Sequence, residues 1–345
     1  MKDAIYRWME RVWYGSDRSY RLLLPFSGLY CLLLMLRRML YRLGVLRIHT
    51  AAAPVIVVGN ITAGGTGKTP TTIWLAQEMR ERGFSPGIVS RGYGGSRSKS
   101  SMRVDPASDP AIVGDEPVLI AMRTGCPVVV DANRSRAASM LVEDGADLII
   151  ADDGLQHYSL ARSYEICVID GARGLGNRML LPAGPLRETV GRLENVDQVL
   201  VNGRLRKGTE SLLVVEQNAL EFELIATDVS RLNGSLTRPI DRFAGTTVHG
   251  VAAIGNPRRF FDLLRGRGIQ VIEHAYPDHV RLQKKDIDFG DDFDILMTEK
   301  DAVKLDRQVS DRMWYVPVDL KIDPVQAGPW LQQIESRMRD EQGKQ

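Results

Sequence analysis

The sequence predicts an α/β protein: a doubly wound, mostly parallel sheet, a second and smaller α/β unit, and an N-terminal membrane-associated helix. Three observations lead there. Short apolar runs rich in β-branched residues alternate with helical stretches, as in a parallel sheet covered on both faces. One of these runs enters a glycine-rich turn and then a helix. The first 47 residues hold nine Lys and Arg against Asp3, Glu10 and Asp17, around a run of leucines.

The totals set broad limits. With 345 residues the chain has room for two domains, at about 150 residues each. A composition of 44% hydrophobic and 26% charged residues is that of an ordinary globular protein. A net charge of +2 gives no reason to expect nucleic acid, and the basic start leaves the remainder net acidic. Three cysteines, Cys31, Cys126 and Cys167, lack metal-ligand spacing and suit a reducing compartment without a disulfide framework.

Leu22–Leu36 is an apolar run containing Pro25 and Gly28. It falls short of the ~20 residues of a spanning helix. Arg37, Arg38, Arg42 and Arg47 follow it, without the small-residue cleavage site of a signal peptide. An interfacial helix fits, with its apolar face in the acyl boundary and its arginines on anionic headgroups. The competing reading is a buried helix covering the sheet.

Val55–Val58 reads as a buried strand. Gly64-Gly65-Thr66-Gly67 cannot continue it, and Lys68-Thr69 opens a helix that Gly83 stops. Strand, glycine loop and helix form a phosphate cradle, with backbone N–H groups and the helix N-terminus turned toward an anion. This is the context of a P-loop NTPase-type sheet. Residues Thr62, Ala63, Gly64, Gly65, Thr66, Gly67, Lys68 and Thr69 are its candidate nucleotide-binding positions, with Lys68 on the β/γ-phosphates and the Thr69 hydroxyl on Mg²⁺. The general pattern asks for Gly at position 62, where this chain has Thr.

Gly87–Ser90 is a second strand, running into Arg91-Gly92-Tyr93-Gly94-Gly95 and a polar loop to Asp109. Loops of this length are often functional. In Gly114-Asp115-Glu116-Pro117 two carboxylates open a helix, where the helix dipole alone would favour them. Pro127–Val130 is a third strand and Arg134–Glu143 a helix. Asp147–Ala151 is a fourth strand that turns abruptly acidic at Asp152-Asp153. Carboxylates at the C-terminal end of a parallel strand sit where open α/β sheets bind ligands, and where a P-loop protein handles its Mg²⁺. Tyr164–Asp170 and Gln198–Asn202 complete the sheet. Short strands after Ser211, Phe222–Thr227 among them, suggest an antiparallel connector. Val248–Ile254, a helix over Pro257–Arg265 and Ile269–Ala275 begin the second unit, and the tail Trp330–Arg339 reads as a helix. The expected division is therefore 1–47 interfacial, 48–210 nucleotide-binding, 211–240 connector and 241–345 C-terminal α/β.

Side by side, these stretches resemble the tetraacyldisaccharide 4′-kinase family, the lipid A 4′-kinases of Gram-negative bacteria. The resemblance rests on Val57–Pro70 (VVGNITAGGTGKTP), Ser90–Gly95 (SRGYGG), Gly114–Pro117 (GDEP), Val130–Arg136 (VDANRSR), Asp152–His157 (DDGLQH), Leu181–Glu188 (LPAGPLRE) and Thr298–Lys304 (TEKDAVK), in order over nearly the whole chain. It implies Mg²⁺-dependent transfer of the γ-phosphoryl group of ATP to the 4′-hydroxyl of a lipid-linked glucosamine disaccharide, giving lipid IVA. It also implies a monotopic enzyme on an anionic membrane surface, the cytoplasmic face of the inner membrane, with no obligate protein partner. Carried over, Asp115 is the general base, Glu116 a metal-associated carboxylate, and Asp152 and Asp153 are catalytic. Arg187 and Glu188 form a pair near the nucleotide, and His279 supports the base from the second domain. Either Asp115 or Asp152 takes the proton on this reading.

Two other classes compete. In a membrane-attached switch ATPase or GTPase the nucleotide would regulate partner binding. The loop resembles the variant loop of such ATPases, but their extra lysine is Ala63 here, and Thr298-Glu299-Lys300-Asp301 does not match the guanine-reading Asn-Lys-x-Asp. In a lipid-binding module the nucleotide would be structural, a reading that the acidic pair Asp152-Asp153 disfavours.

Overall fold

The computed structural model describes residues 2–92, 95, 100–205, 219–278, 280, 282–305 and 311–344. Two helices, α1 (Lys2–Tyr14) and α2 (Tyr20–Arg42), precede the first strand, β1 (Val55–Gly59). The chain then runs through α3 (Lys68–Glu81), β2 (Pro86–Ser90), β3 (Met102–Val104), α4 (Pro110–Val113) and α5 (Asp115–Thr124). It continues through β4 (Val128–Val130), α6 (Arg134–Glu143), β5 (Leu148–Asp152), β6 (Tyr164–Asp170), β7 (Gln198–Asn202) and β8 (Ala219–Ile225). With a later strand, β15 (Asp319–Ile322), these strands form a nine-stranded sheet in the order β15-β8-β7-β6-β1-β5-β2-β4-β3. The strands from β8 to β4 are parallel and only the two edges are antiparallel.

Parallel strands buried on both faces need two cores, and there are two. One packs Leu75, Met79, Ile120 and Trp330 against one face; the other packs Leu141, Leu155 and Leu193 against the opposite face. The central strands are fully buried along their length, which is why their sequences are continuous apolar runs.

The second sheet is six-stranded. Its strands are β9 (Asp228–Arg231), β10 (Thr237–Pro239), β11 (Thr247–Ala252), β12 (Gln270–Ala275), β13 (Asp294–Thr298) and β14 (Met313–Val316), in the order β10-β9-β14-β13-β11-β12. Helix α7 (Pro257–Gly266) covers one face through Phe260, Phe261 and Leu264. A short helix, α8 (Glu299–Ala302), opens directly from β13.

Three features differ from the sequence reading. Residues 219–225 are not an antiparallel connector on their N-terminal side: β8 pairs parallel with β7 and antiparallel with β15. The strand β3 lies inside the stretch expected to be loop, as an exposed edge. The C-terminal strand and helix α9 (Pro324–Gln342), expected in the second unit, return to the first sheet, where Trp330, Leu331, Ile334 and Met338 join its core. Pairing between segments a hundred residues apart leaves no local periodicity to read.

Helix α2 runs through Pro25 and Gly28 for 23 residues, by length and composition enough to cross a membrane. Its buried residue is Ser27, while Leu22, Phe26, Leu29, Leu32 and Leu33 are each more than half exposed. The opposite side holds to the body: the Ser27 hydroxyl donates to the Leu180 carbonyl at 2.8 Å and the Tyr30 hydroxyl to the Arg187 carbonyl at 3.0 Å. The helix is thus tethered along one side and leaves an apolar stripe exposed on the other.

Candidate active site

The loop from β1 to α3 is shaped by two left-handed glycines, Gly64 (φ 110°) and Gly67 (φ 104°). Gly67 is the N-cap of α3, and a Cβ there would lie 2.7 Å from the Asn202 amide nitrogen. That amide donates to the Thr66 carbonyl at 3.0 Å, so β7 props the loop from beneath. Position 62 is not left-handed: Thr62 is buried and bridges antiparallel to Leu186. The Ala63 N–H donates to the Pro185 carbonyl and the Arg187 N–H to the Ile61 carbonyl, each at 2.7 Å. Extended pairing with residues 185–187 is the physical reason a threonine serves where the general pattern has glycine.

At the C-terminal end of β5, Asp152 and Asp153 face opposite fates. Asp152 is 1% exposed and accepts from Thr72 at 3.2 Å and Ser90 at 3.3 Å. Burial, and then the charges of Glu116 and Asp153, push its carboxyl up to about 6. Asp153 has φ 49°, a left-handed position that Asp tolerates. Its carboxylate meets Lys68 Nζ at 3.6 Å and Arg187 Nη1 at 3.1 Å. Burial alone would raise the Asp153 carboxyl, but Lys68, Arg187 and Arg134 outweigh it and hold it well below the usual carboxylate range. Two adjacent carboxylates with divergent environments are a mark of a catalytic site.

Sequence reasoning left Arg134 as one residue of a helix entrance. In the structure it is 1% exposed, and its Nε and Nη1 lack a hydrogen-bond partner among the described residues. It sits in the field of Asp153 and Asp152, and its burial lowers the guanidinium pKa from its ordinary value. A buried guanidinium with open donors invites an anion. Nearby, His157 Nε2 lies 3.1 Å from the Ala132 carbonyl, so that nitrogen carries the hydrogen. Burial, and then Arg134, push His157 down to about 4, leaving the ring neutral at physiological pH.

The second carboxylate pair starts α5. Asp115 is buried, and one of its oxygens caps the Glu116 N–H at 2.9 Å. Across the interface, Lys300 Nζ is 3.0 Å from Glu116 and 3.9 Å from Asp115, and Lys304 Nζ is 3.5 Å from Asp115. The second unit also touches the loop: a Cβ on Gly255 would be 3.4 Å from the Gly65 nitrogen. Thr69 takes the second position of α3.

Lys68, Asp152, Asp153 and Arg187 therefore converge beside the glycine loop. Asp115 and Glu116 lie across from them, with Glu116 near enough to act on Asp152. Glu188 does not join them. It is fully buried, bonded by the Arg38 guanidinium of α2 and by the Tyr158 hydroxyl at 2.7 Å. A buried carboxylate takes the cation that is offered, and here α2 offers it. His279 lies outside the described residues; its neighbour Asp278 is 3.6 Å from Lys300.

The fold and this site define a P-loop-type α/β protein equipped for phosphoryl transfer. The sequence model of tetraacyldisaccharide-1-P 4′-kinase matches residues 19–338, and the chain belongs to that family. It is 46% identical over 313 residues to the tetraacyldisaccharide 4′-kinase of Nitrosococcus oceani, covering 90% of each chain. It is 44% identical over 344 residues to that of Methylobacillus flagellatus, covering 99% of this chain and 100% of the other. Among solved structures it is similar to "apo" form LpxK from Aquifex aeolicus in complex with ATP, at a TM-score of 0.75 and 27% identity. That match covers 92% of this chain and 99% of the other.

Proposed function

We propose that this protein transfers the γ-phosphoryl group of ATP to the 4′-hydroxyl of tetraacyldisaccharide 1-phosphate, forming lipid IVA, at the cytoplasmic face of the inner membrane. The observation that carries the reading is the convergence of Lys68, Arg187 and Arg134 on Asp152-Asp153 beside the glycine loop. Family membership supports the same substrates.

In this reading the loop 62–67 and Lys68 hold the phosphates, and Arg187 and Arg134 face the oxygens that gain charge. The acceptor O–H bond breaks, its proton passes to Asp115, the new O–P bond forms, and ADP departs with the electrons of the broken O–P bond. Such a loose transition state asks for positioning rather than a strong base, so an Asp115 held beside two lysines suffices. Mg²⁺ fits the donor set: Asp152 is raised by burial and then by the charges of Glu116 and Asp153, and the Thr69 hydroxyl and Glu116 complete an oxygen-only neighbourhood. Mg²⁺ takes few protein ligands and keeps the rest from phosphate and water. When bound, it would neutralise charge between the phosphates. Helix α2, with its apolar stripe and basic end, supports attachment to an anionic surface where the lipid acceptor resides.

The test is ADP release in detergent with and without the lipid disaccharide, wild type beside Asp115→Ala. Lipid-dependent turnover that falls by several orders of magnitude in the variant agrees with the assignment. Turnover indifferent to the lipid contradicts it and brings the switch ATPase forward.

A further inference from the structure

The cation that faces the proposed base comes from the other half of the molecule. Lys300 sits in the first turn of α8, on a platform tied tightly to the second sheet. The Thr298 side chain caps that turn, accepting from the Asp301 N–H at 3.2 Å and donating to the Asp301 carboxylate at 2.6 Å. Asp301 is fully buried and accepts from the Ala253 N–H at 2.8 Å and from Lys304 at 2.8 Å. From this platform Lys300 reaches out of its own unit to two carboxylates, Glu116 at 3.0 Å and Asp115 at 3.9 Å, and meets Asp278 of its own unit at 3.6 Å.

A buried ammonium is a poor adhesive. Its desolvation cancels much of the Coulomb gain, and apolar contact joins two units more cheaply. Docking is also served elsewhere, by Arg123 of α5 with Glu299 at 2.7 Å. The arrangement at Lys300 therefore calls for a reason beyond adhesion, and the placing of the Asp115 and Glu116 carboxylates supplies one.

We propose that Lys300 is a positioning residue for phosphoryl transfer: delivered by the second unit, it fixes Asp115 and Glu116 side by side at the start of α5. The inference rests on Asp115 being the base. Burial would lower the Lys300 ammonium, yet Glu116, Asp115 and Asp278 together hold it above its ordinary value. Lys300 therefore meets the pair as a cation. Among the described residues, groups facing the pair include Lys300 and Lys304 from α8 and its C-terminal turn, Asp278 from the segment after β12, and Asp152 from β5. Lys304 is already committed to Asp301 and the Ala253 carbonyl, so it does not replace Lys300. The base is complete only when the two units are together.

The experiment compares kcat and KM for ATP of the full-length wild type, Lys300→Met, Lys300→Arg and Asp115→Asn, with folding checked by thermal melting. Lys300→Met is expected to lower kcat by about 100-fold or more with KM for ATP within about threefold of wild type, because the acceptor side of the site and not the nucleotide loop loses its order. Lys300→Arg should recover most of kcat. A kcat near wild type in a folded Lys300→Met, or a loss that arginine does not restore, overturns the inference while leaving the kinase assignment intact. If Lys300→Met does not fold, Lys300→Arg decides alone: a kcat near wild type supports the inference and a fall as large as that expected of methionine refutes it. Asp115→Asn with near-wild-type turnover would overturn the base assignment itself.

Discussion

Asp152→Asn is expected to stabilise the ligand-free protein while abolishing its activity. The carboxyl is 1% exposed and is raised to about 6 from an ordinary 3.8. A rise of about two units, at 1.36 kcal/mol each, is about 3 kcal/mol of stability forfeited whenever Asp152 is ionised. The sign follows from proton binding. Between about pH 4 and 6 the folded state binds the proton that the unfolded state has released, so stability falls as pH rises through that window. Below it the penalty is absent; above it the penalty is constant. Asparagine cannot ionise, and the Thr72 and Ser90 hydroxyls can rotate to accept from its amide. The assay is denaturant unfolding from pH 4 to 8 without nucleotide or Mg²⁺. The variant should match wild type near pH 4 and exceed it above pH 6, by up to about 3 kcal/mol. A variant less stable than wild type at pH 7.5, or a difference that does not change with pH, would refute the reasoning. Stability sacrificed at a carboxylate of a functional site is a common trade.

Three further outcomes follow. Arg38→Met leaves the buried Glu188 carboxylate with the Tyr158 hydroxyl and no cation; a loss of about 3 kcal/mol should lower the melting temperature by several degrees, and a shift under one degree would contradict it. Arg187→Ala removes a cation held 3.1 Å from Asp153 and should raise KM for ATP about tenfold while the melting temperature holds. Replacing Leu29, Leu32 and Leu33, each more than half exposed on α2, with serine should release the protein from anionic vesicles in a sedimentation assay without lowering its melting temperature.

Much of the fold was legible because its signals are local. The limits of Tyr164–Asp170, Gln198–Asn202 and Arg134–Glu143 are the same in sequence and structure, since each is a short apolar or amphipathic run bounded by glycine or acid. The glycine loop was legible for the same reason. What was hidden depends on distance along the chain. The partners of Glu188 lie 150 and 30 residues away, and its string LPAGPLRE suggests nothing of α2. Arg134 is a residue type normally found at the surface, so no pattern marked its burial. Lys300 and Lys304 were visible only as part of a family string, because the carboxylates they face belong to the other unit. The strand β15 has four residues and takes its place only when β8 is beside it.

The central claim is that the site phosphorylates the distal sugar of a lipid disaccharide. Mass spectrometry of the lipid after incubation with ATP, Mg²⁺ and tetraacyldisaccharide 1-phosphate tests it directly, with fragmentation to locate the new group. The account predicts one added phosphate on the 4′ position with wild type and none with Lys68→Met. ADP released by wild type with no phosphate on the lipid, or phosphate at any other position, would contradict it.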